Sequence, residues 1–261
     1  MRCRYCKGEL VHHYASAYKC DKCGRVLDMF EEESFEDLKN QIAREKGENV
    51  VGKKLKVLEL FAGTRSIGKA FEKNGHEVYS VEWDRQHKNI DLYADMATVT
   101  PQKILEEFGK PDIIWASPPC EKFSVAAIGK HWHKGTNEPK TEATKEALAL
   151  LEYTVNLIKE LNPKYYFIEN PRGKMRKVDV MQDLPMYTVT YCQYGDTRMK
   201  PTDIWTNHPD PQFKPACKNG MTCHVSAPRG SRTGTQGLKG TVLRSVIPSE
   251  LCDHIATISE I

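Results

Sequence analysis

The sequence predicts an α/β fold, a largely parallel sheet with helices on both faces, preceded by a small cysteine-rich module. Two observations carry this. From residue 53 onward, short apolar runs alternate with amphipathic helical patterns over long crossovers, an order that parallel strands require. Before that point, four cysteines fall in two C-x2-C pairs within 23 residues, a density that no apolar core explains. With 261 residues, 39% of them hydrophobic and 28% charged, the chain can bury one large core and carry an appendage.

Residues 1–27 read as a zinc ribbon. "CRYC" supplies Cys3 and Cys6, and "CDKCG" supplies Cys20 and Cys23, so two short turns can present four thiolates to one Zn2+ ion. A redox C-x-x-C or unrelated cysteines are the alternatives. A module this short buries little, so zinc would supply its folding energy. Residues 28–52 are acidic first and basic later, with Phe30, Phe35, Leu38 and Ile42 at helical spacing, and read as a helical linker.

The main domain, 53–205, opens with the strand "KLKVLELFAG", which ends in a glycine loop, followed by the helix "SIGKAFEKNG" and the strand "EVYSVEWD". "DLYADMATV" gives a third strand and "PQKILEEFG" a helix with proline at its start. "PDIIWASPPC" is a fourth strand that must end at its two prolines, which offer no amide hydrogen. A long helix follows, with Leu148, Leu151, Val155 and Ile158 on one face and its end before Pro163. "KYYFIENP" is the fifth strand, and "MYTVTYCQYG" with "DIWTN" form a closing hairpin. Residues 206–240 form a small separate region, and 241–261 return to the main domain through the helix "IPSELCDHIATI".

No run of about 18 apolar residues occurs, so no membrane partner is expected. The N-terminus lacks an apolar signal core, and nine cysteines without one argue for reduced thiols in a cytoplasmic setting. The net charge of +3 excludes little. Two local basic clusters point to a polyanion: Arg172, Lys174, Arg176 and Lys177, and a stretch from Pro211 to Ser249 without Asp or Glu that holds Lys214, Lys218, Arg229, Arg232, Lys239 and Arg244.

Ligands of such sheets bind at the carboxyl ends of the strands. Three loops there are unusual. In "LELFAGTRSIG", Gly63 lets the backbone turn close to a ligand, and Glu82 at the end of the next strand can hold ribose hydroxyls. Together they favour a nucleoside cofactor, while the missing G-x-G-x-x-G disfavours a nicotinamide dinucleotide. "SPPC" sets Cys120 on a stiffened backbone at the sheet's rim, where a packing cysteine has no reason to be. "IENPRGK" sets Glu169 and Asn170 at the exit of the fifth strand.

With these motifs in order, the chain resembles the DNA (cytosine-5)-methyltransferases along residues 55–260. "LELFAG" is similar to their first S-adenosylmethionine motif, "VEWD" to the second and "ADM" to the one that contacts adenine. "SPPC" resembles the nucleophile motif, "ENP" the glutamate motif, "QYGDTRMKP" the arginine-bearing motif and "RSVIPSEL" the last cofactor motif. The resemblance implies a Rossmann-like S-adenosylmethionine-dependent methyltransferase sheet of a small phage or bacterial type, as in restriction-modification, with 206–240 recognising the target. It implies that Phe61, Ala62, Gly63, Thr64, Ser66, Glu82, Trp83, Asp95, Met96, Ser117, Pro118 and Ser245 bind S-adenosylmethionine. It also implies catalytic roles for Cys120, Glu169, Asn170 and Arg198: a thiolate adding to carbon 6 of a flipped cytosine in DNA, a carboxyl at N3, geometric support, and a contact to O2. Residues 120–140 would be a mobile loop closing over the base. Three departures stand out: Thr64-Arg65-Ser66 where the family often has glycines, Lys200 in place of a second arginine, and Arg244 where asparagine is usual.

Rival readings are an amino-methyltransferase, disfavoured by cysteine after the prolines, a tRNA cytosine-5 methyltransferase, and a zinc-bearing binding protein with a methyltransferase fold. Cys217, Cys223 and His224, with His208 as a further ligand, offer a second metal site or ordinary loop packing. Cys192 and Cys252 read as core residues of a strand and a helix.

Overall fold

The computed structural model describes residues 9–14, 17–22, 26–28, 53–218, 220–226 and 240–260, and the chain divides into two units, Met1–Lys53 and Lys54–Ile261. In the first unit, strands β1 (Leu10–Tyr14), β2 (Ala17–Cys20) and β3 (Val26–Asp28) form an antiparallel three-stranded sheet. Cys20 closes β2, while Cys3, Cys6, Cys23 and the expected helical linker, save Asp28, lie outside the described residues.

The second unit is a seven-stranded sheet in the order β6-β5-β4-β7-β8-β10-β9. Its parallel strands are β4 (Lys56–Leu60), β5 (Glu77–Glu82), β6 (Leu92–Tyr93), β7 (Ile113–Ala116) and β8 (Tyr165–Pro171). The antiparallel hairpin β9 (Met186–Thr190) and β10 (Pro201–Thr206) closes the sheet along β8. Side chains alternate across a strand, and the two faces feed separate cores. Leu58, Leu60, Ile114, Ala116 and Ile168 pack toward helix Glu142–Leu161, whose Leu151, Val155 and Ile158 cover that face. Val57, Ile113, Trp115 and Phe167 meet the helices Ser66–Lys73 and Ser249–Ser259 on the other. The long helix ends with Asn162 in the left-handed conformation (φ 46°), directly before Pro163, which cannot continue the hydrogen-bond ladder. Pro101 opens helix Pro101–Glu107, capped by Thr100 Oγ1 accepting from the Lys103 amide at 3.2 Å. Among the described residues no helix is long and apolar enough to cross a membrane.

Candidate active site

The loops leaving β5, β4, β7 and β8 belong to four consecutive strands, so the three motif loops meet at one end of the sheet. The glycine loop leaves β4 with Gly63 in the left-handed region (φ 49°). Glu82 closes β5 with its carboxylate buried and fixed by backbone donors. Oε2 accepts from the Gly63 amide at 2.9 Å, and Oε1 from the amides of Trp83 and Asp84 at 2.8 and 2.9 Å. Beside it the Trp83 ring is 70% exposed, an unusual position for an indole. Ser66 Oγ bonds Thr64 Oγ1 at 2.8 Å and accepts from the Ile247 amide at 3.4 Å, which ties the stretch "RSVIPSEL" to the glycine loop. Ser245 ends the helix Thr241–Ser245, with its hydroxyl donating to the Val242 carbonyl. Asp95 caps the turn Met96–Thr98 by accepting from the Ala97 amide at 3.0 Å. Met96 itself is a core residue, 5% exposed. Phe61 and Ala62 continue β4 into the loop, and the Ala62 amide donates to the Val81 carbonyl.

The loop that carries Cys120 and the loop that carries Glu169 are locked together. Asn170 Nδ2 donates to the Pro118 carbonyl at 2.8 Å, and both residues are buried. Ser117 Oγ accepts from Trp115 Nε1 at 2.8 Å. Cys120 is half-buried. Burial pushes its thiol above the usual range, the Glu169 carboxylate adds to that, and the Lys200 ammonium pulls the other way. Glu169 is buried, with Oε1 accepting from the Tyr191 hydroxyl at 3.1 Å. Burial lowers the Lys200 ammonium from its usual range while the Glu169 charge sustains it, and its Nζ lies 4.4 Å from the centre of the Tyr191 ring. Thiol, carboxylate and ammonium therefore form one electrostatic group.

Arg198, expected as the contact to the base, is engaged by local acceptors. It is 5% exposed and forks onto Asp196 two residues away, with Nε 2.9 Å from both carboxylate oxygens. Its remaining N–H groups donate to the carbonyls of Leu243, Arg244 and Val246. A buried guanidinium with that many local acceptors is a fastener for the returning segment, and the cation that faces the site is Lys200.

The stretch after Cys120 is more anchored than a mobile loop suggests. The amides of Phe123 and Ser124 both donate to the Cys120 carbonyl at 3.0 Å, and Lys174 N donates to the Phe123 carbonyl at 2.7 Å. The buried Phe123 and Trp132 rings pack 5.7 Å apart, and Lys174 Nζ reaches the Thr136 carbonyl and Asn137 Oδ1. A cavity of about 560 Å³ opens here, with Lys134, Lys140 and Lys177 on its wall beside Lys174. The basic cluster around residue 174 is only partly a surface feature. Arg176 turns inward to the fully buried Asp203, and Lys174 is itself buried, so Arg172 and Lys177 remain exposed.

Of the second metal set, His208 is not a member. Its Nε2 lies 3.0 Å from the Ile258 carbonyl and its Nδ1 accepts from the Asp210 amide. Cys192, in contrast, is not in a strand. It sits in the 3-10 turn Tyr191–Tyr194 after β9, with its sulfur 3.7 Å from that of Cys223. Cys252 is a core residue of the last helix, as its pattern suggests. Tyr191, Lys200 and Cys192 escaped sequence reasoning as site residues. The tight spacing of "TYCQYGDTRMK" between two strands was the available signal, since a short connection must turn its side chains toward the strand ends.

Residues 55–180 match the family described as C-5 cytosine-specific DNA methylase. Over 207 residues the chain is 30% identical to a probable DNA (cytosine-5)-methyltransferase of Frog virus 3 (isolate Goorha), an alignment covering 73% of this chain and 92% of that protein. Among solved structures, it is similar to a DNA modification methyltransferase encoded within an E. coli prophage, called putative in its description (17% identity, TM-score 0.45, 59% of this chain and 46% of that one). A Spodoptera frugiperda DNMT2 mutant is also similar (18% identity, TM-score 0.41, 63% of this chain and 54% of that one). The chain thus spans about half the length of these two solved proteins.

Proposed function

The chain belongs to the C-5 cytosine-specific DNA methylases, which transfer a methyl group from S-adenosylmethionine to carbon 5 of cytosine in DNA, and from that premise we propose how its own residues divide the work. The observation that carries the reading is the joint between the two motif loops, Asn170 to the Pro118 carbonyl, which holds Cys120 and Glu169 in one charged group with Lys200.

The cofactor's contribution when bound is an electrophilic methyl group on a sulfonium. The residues fit it: a buried carboxylate, Glu82, held in place by three amides, stands beside an exposed indole, Trp83. Glu82 would receive the ribose hydroxyls and Trp83 would cover the adenine, with Asp95, Ser66 and Ser245 around them. The flipped cytosine presents carbon 6 to Cys120 and N3 to Glu169. As the thiolate bonds to carbon 6, electron density moves into the ring, and a proton shared between Glu169 and N3 neutralises it. Carbon 5, made nucleophilic in this way, would be the atom that accepts the methyl group of the bound cofactor, whose sulfonium would leave as a neutral thioether. Loss of the carbon 5 proton restores the ring and breaks the sulfur–carbon bond. Lys200 holds the charge that develops on this side of the base, Tyr191 orients Glu169, and Arg198 positions the returning segment.

We place phosphate contacts on Arg172 and Lys177, beside the lysine-lined cavity, and a Zn2+ ion on Cys3, Cys6, Cys20 and Cys23. The three-stranded antiparallel sheet of residues 10–28 supports a ribbon there. Metal analysis of variants with Cys3 and Cys6 replaced by serine tests the ribbon.

Labelled methyl transfer to duplex DNA, single-stranded DNA and tRNA, followed by bisulfite sequencing, tests the function. Methylation of duplex DNA that is abolished in Cys120→Ser, with S-adenosylmethionine binding retained, is expected, because a serine hydroxyl is scarcely ionised near neutral pH. Transfer to tRNA alone would support an RNA enzyme. Undiminished transfer by Cys120→Ser would remove the thiol from the mechanism.

A further inference from the structure

We propose that Cys192, Cys217, Cys223 and His224 bind a structural Zn2+ ion that fastens the start of the target-recognition region to the sheet. The recognition role of residues 206–240 rests on the reading above, whereas the metal site rests on its own geometry.

The four ligand atoms, three sulfurs and one imidazole nitrogen, all lie within 4.8 Å of one another. Tetrahedral zinc with bonds of about 2.3 Å to sulfur and about 2.05 Å to nitrogen sets its ligands about 3.8 Å apart for two sulfurs and about 3.6 Å for sulfur and nitrogen. Here Cys192 and Cys223 are 3.7 Å apart, and His224 Nδ1 lies 3.6 Å from the sulfurs of both Cys217 and Cys223. The Cys217–Cys223 separation of 3.2 Å is somewhat tight for such an edge and far beyond a disulfide bond of about 2.05 Å. One disulfide would also leave Cys192 and His224 without a reason to converge. Among the described residues the buried Nε2 of His224 has no partner, so the contacts that orient the ring are those of its Nδ1 with the sulfurs. Gln193 Nε2 lies 3.5 Å from the Cys223 sulfur, as an outer donor to a thiolate would. A Cys3His set is a soft, closed donor set of the kind structural zinc takes.

The local fold gives the ion something to do. Described residues 207–218 and 220–226 contain neither helix nor strand. Residues 207–214 are tied to the domain by side chains, among them Asn207 to the Lys164 carbonyl and Lys214 to the Gln193 carbonyl, whereas the metal-ligand stretch is joined by Cys217 N to Thr190 Oγ1 at 2.8 Å and Val225 N to the Thr197 carbonyl at 2.9 Å. Cys192 belongs to the turn that follows β9, and the other three ligands belong to the irregular segment. A metal here cross-links the segment to the same turn that carries Tyr191, whose hydroxyl bonds Glu169. A segment poor in secondary structure gains its order from the ion.

The test uses the full chain, with zinc counted per chain by elemental analysis after purification under reducing conditions. Cys217→Ser/Cys223→Ser should carry one zinc fewer than the wild type, whatever the ribbon holds. The wild type with Cys3→Ser and Cys6→Ser, loaded with Co2+, should show the absorption of tetrahedral cobalt with thiolate charge transfer, and adding Cys217→Ser/Cys223→Ser should abolish it. S-adenosylmethionine affinity should be unchanged in all of them. If the double variant does not fold, His224→Gln should weaken zinc retention against a chromophoric chelator at least about tenfold. Equal zinc content in wild type and Cys217→Ser/Cys223→Ser, or full retention in His224→Gln, would overturn the site. Weak DNA binding with normal zinc would instead count against the recognition role alone.

Discussion

Gly173→Ala probes the anchoring of the nucleophile from a residue that touches no substrate. Gly173 has an extended backbone (φ −170°), so alanine meets no torsional objection there. The objection is space: an added Cβ would stand 2.3 Å from the Phe123 carbonyl oxygen and 3.3 Å from its carbon. A tolerable approach is about 3.3 Å, so the two strands of chain must separate by about 1 Å. That opens the Ser124–Gly173 bridge and stretches the 2.7 Å bond from Lys174 N to Phe123. A lost hydrogen bond of about 1 kcal/mol and local overpacking of about 1–3 kcal/mol would cost about 2–4 kcal/mol if the loop held its place. The loop can escape that cost by moving, and Cys120 moves with it, because the Phe123 and Ser124 amides both hold the Cys120 carbonyl. Misplacing a reacting atom by about 1 Å costs up to about 10²-fold in rate. Single-turnover transfer of labelled methyl to DNA should therefore fall about 10- to 100-fold, with S-adenosylmethionine affinity unchanged. Gly129→Ala, whose Cβ would meet nothing within 4 Å, is the control. A wild-type rate in Gly173→Ala would refute the idea that this contact positions the thiol.

The pH profile separates the two charges beside Cys120. Because burial and then Glu169 raise the thiol while Lys200 lowers it, the rate at limiting DNA should climb with pH through the neutral range. Glu169→Gln should slow the chemical step by about 10²–10⁴-fold yet move that rising limb to lower pH, and Lys200→Met should move it to higher pH; shifts of the same sign would contradict the arrangement. Glu59, buried under the glycine loop, has its carboxyl pushed up by burial to about 7 from the usual 4.5. The folded state then binds the proton more tightly, so this contribution to stability is full below pH 4.5 and is lost as pH rises through about 7, by about 3 kcal/mol at most. Glu59→Gln should flatten the fall in thermal stability between pH 5 and 8, and an unchanged slope would assign that fall to other groups.

The parts of this molecule that sequence exposed most clearly are those with local causes. Pro118 and Pro119 end a strand, Pro163 stops a helix, and apolar runs such as "DIIWA" are buried on both faces of a parallel sheet, so all three were visible as pattern. The expectation that Cys120 and Glu169 share one end of the sheet rests on position, since Cys120 follows the end of β7 and Glu169 lies near the end of its parallel neighbour β8. What stayed hidden depends on competition among side chains. Arg198 carries the residue type expected at the base, yet Asp196 lies within reach and takes the guanidinium, leaving Lys200 to face the thiol. Cys192 has the burial of a core residue and the neighbours of a ligand, and only the course of residues 207–226 back toward the sheet distinguishes the two.

The charges around Cys120 suggest that the substrate itself prepares the nucleophile. In the free enzyme the thiol is held up first by burial and next by Glu169, a state poor in thiolate and so slow to oxidise. Cytosine N3 carries no proton, so the proton shared between Glu169 and N3 is the one the Cys120 thiol gives up; its transfer neutralises the negative charge that opposes ionisation, while the Lys200 charge that favours it stays. Of the two opposing neighbours, only the one that inhibits ionisation is switched off by cytosine. A base whose N3 already carries a proton, as in thymine, cannot accept one there and would fill the site yet leave the thiol protonated. Selectivity for cytosine would then reside partly in ionisation of Cys120 and not solely in the fit of the ring. This also gives the Tyr191–Glu169 bond a purpose, since a carboxylate that must act on both base and thiol has to be held at a fixed distance from each.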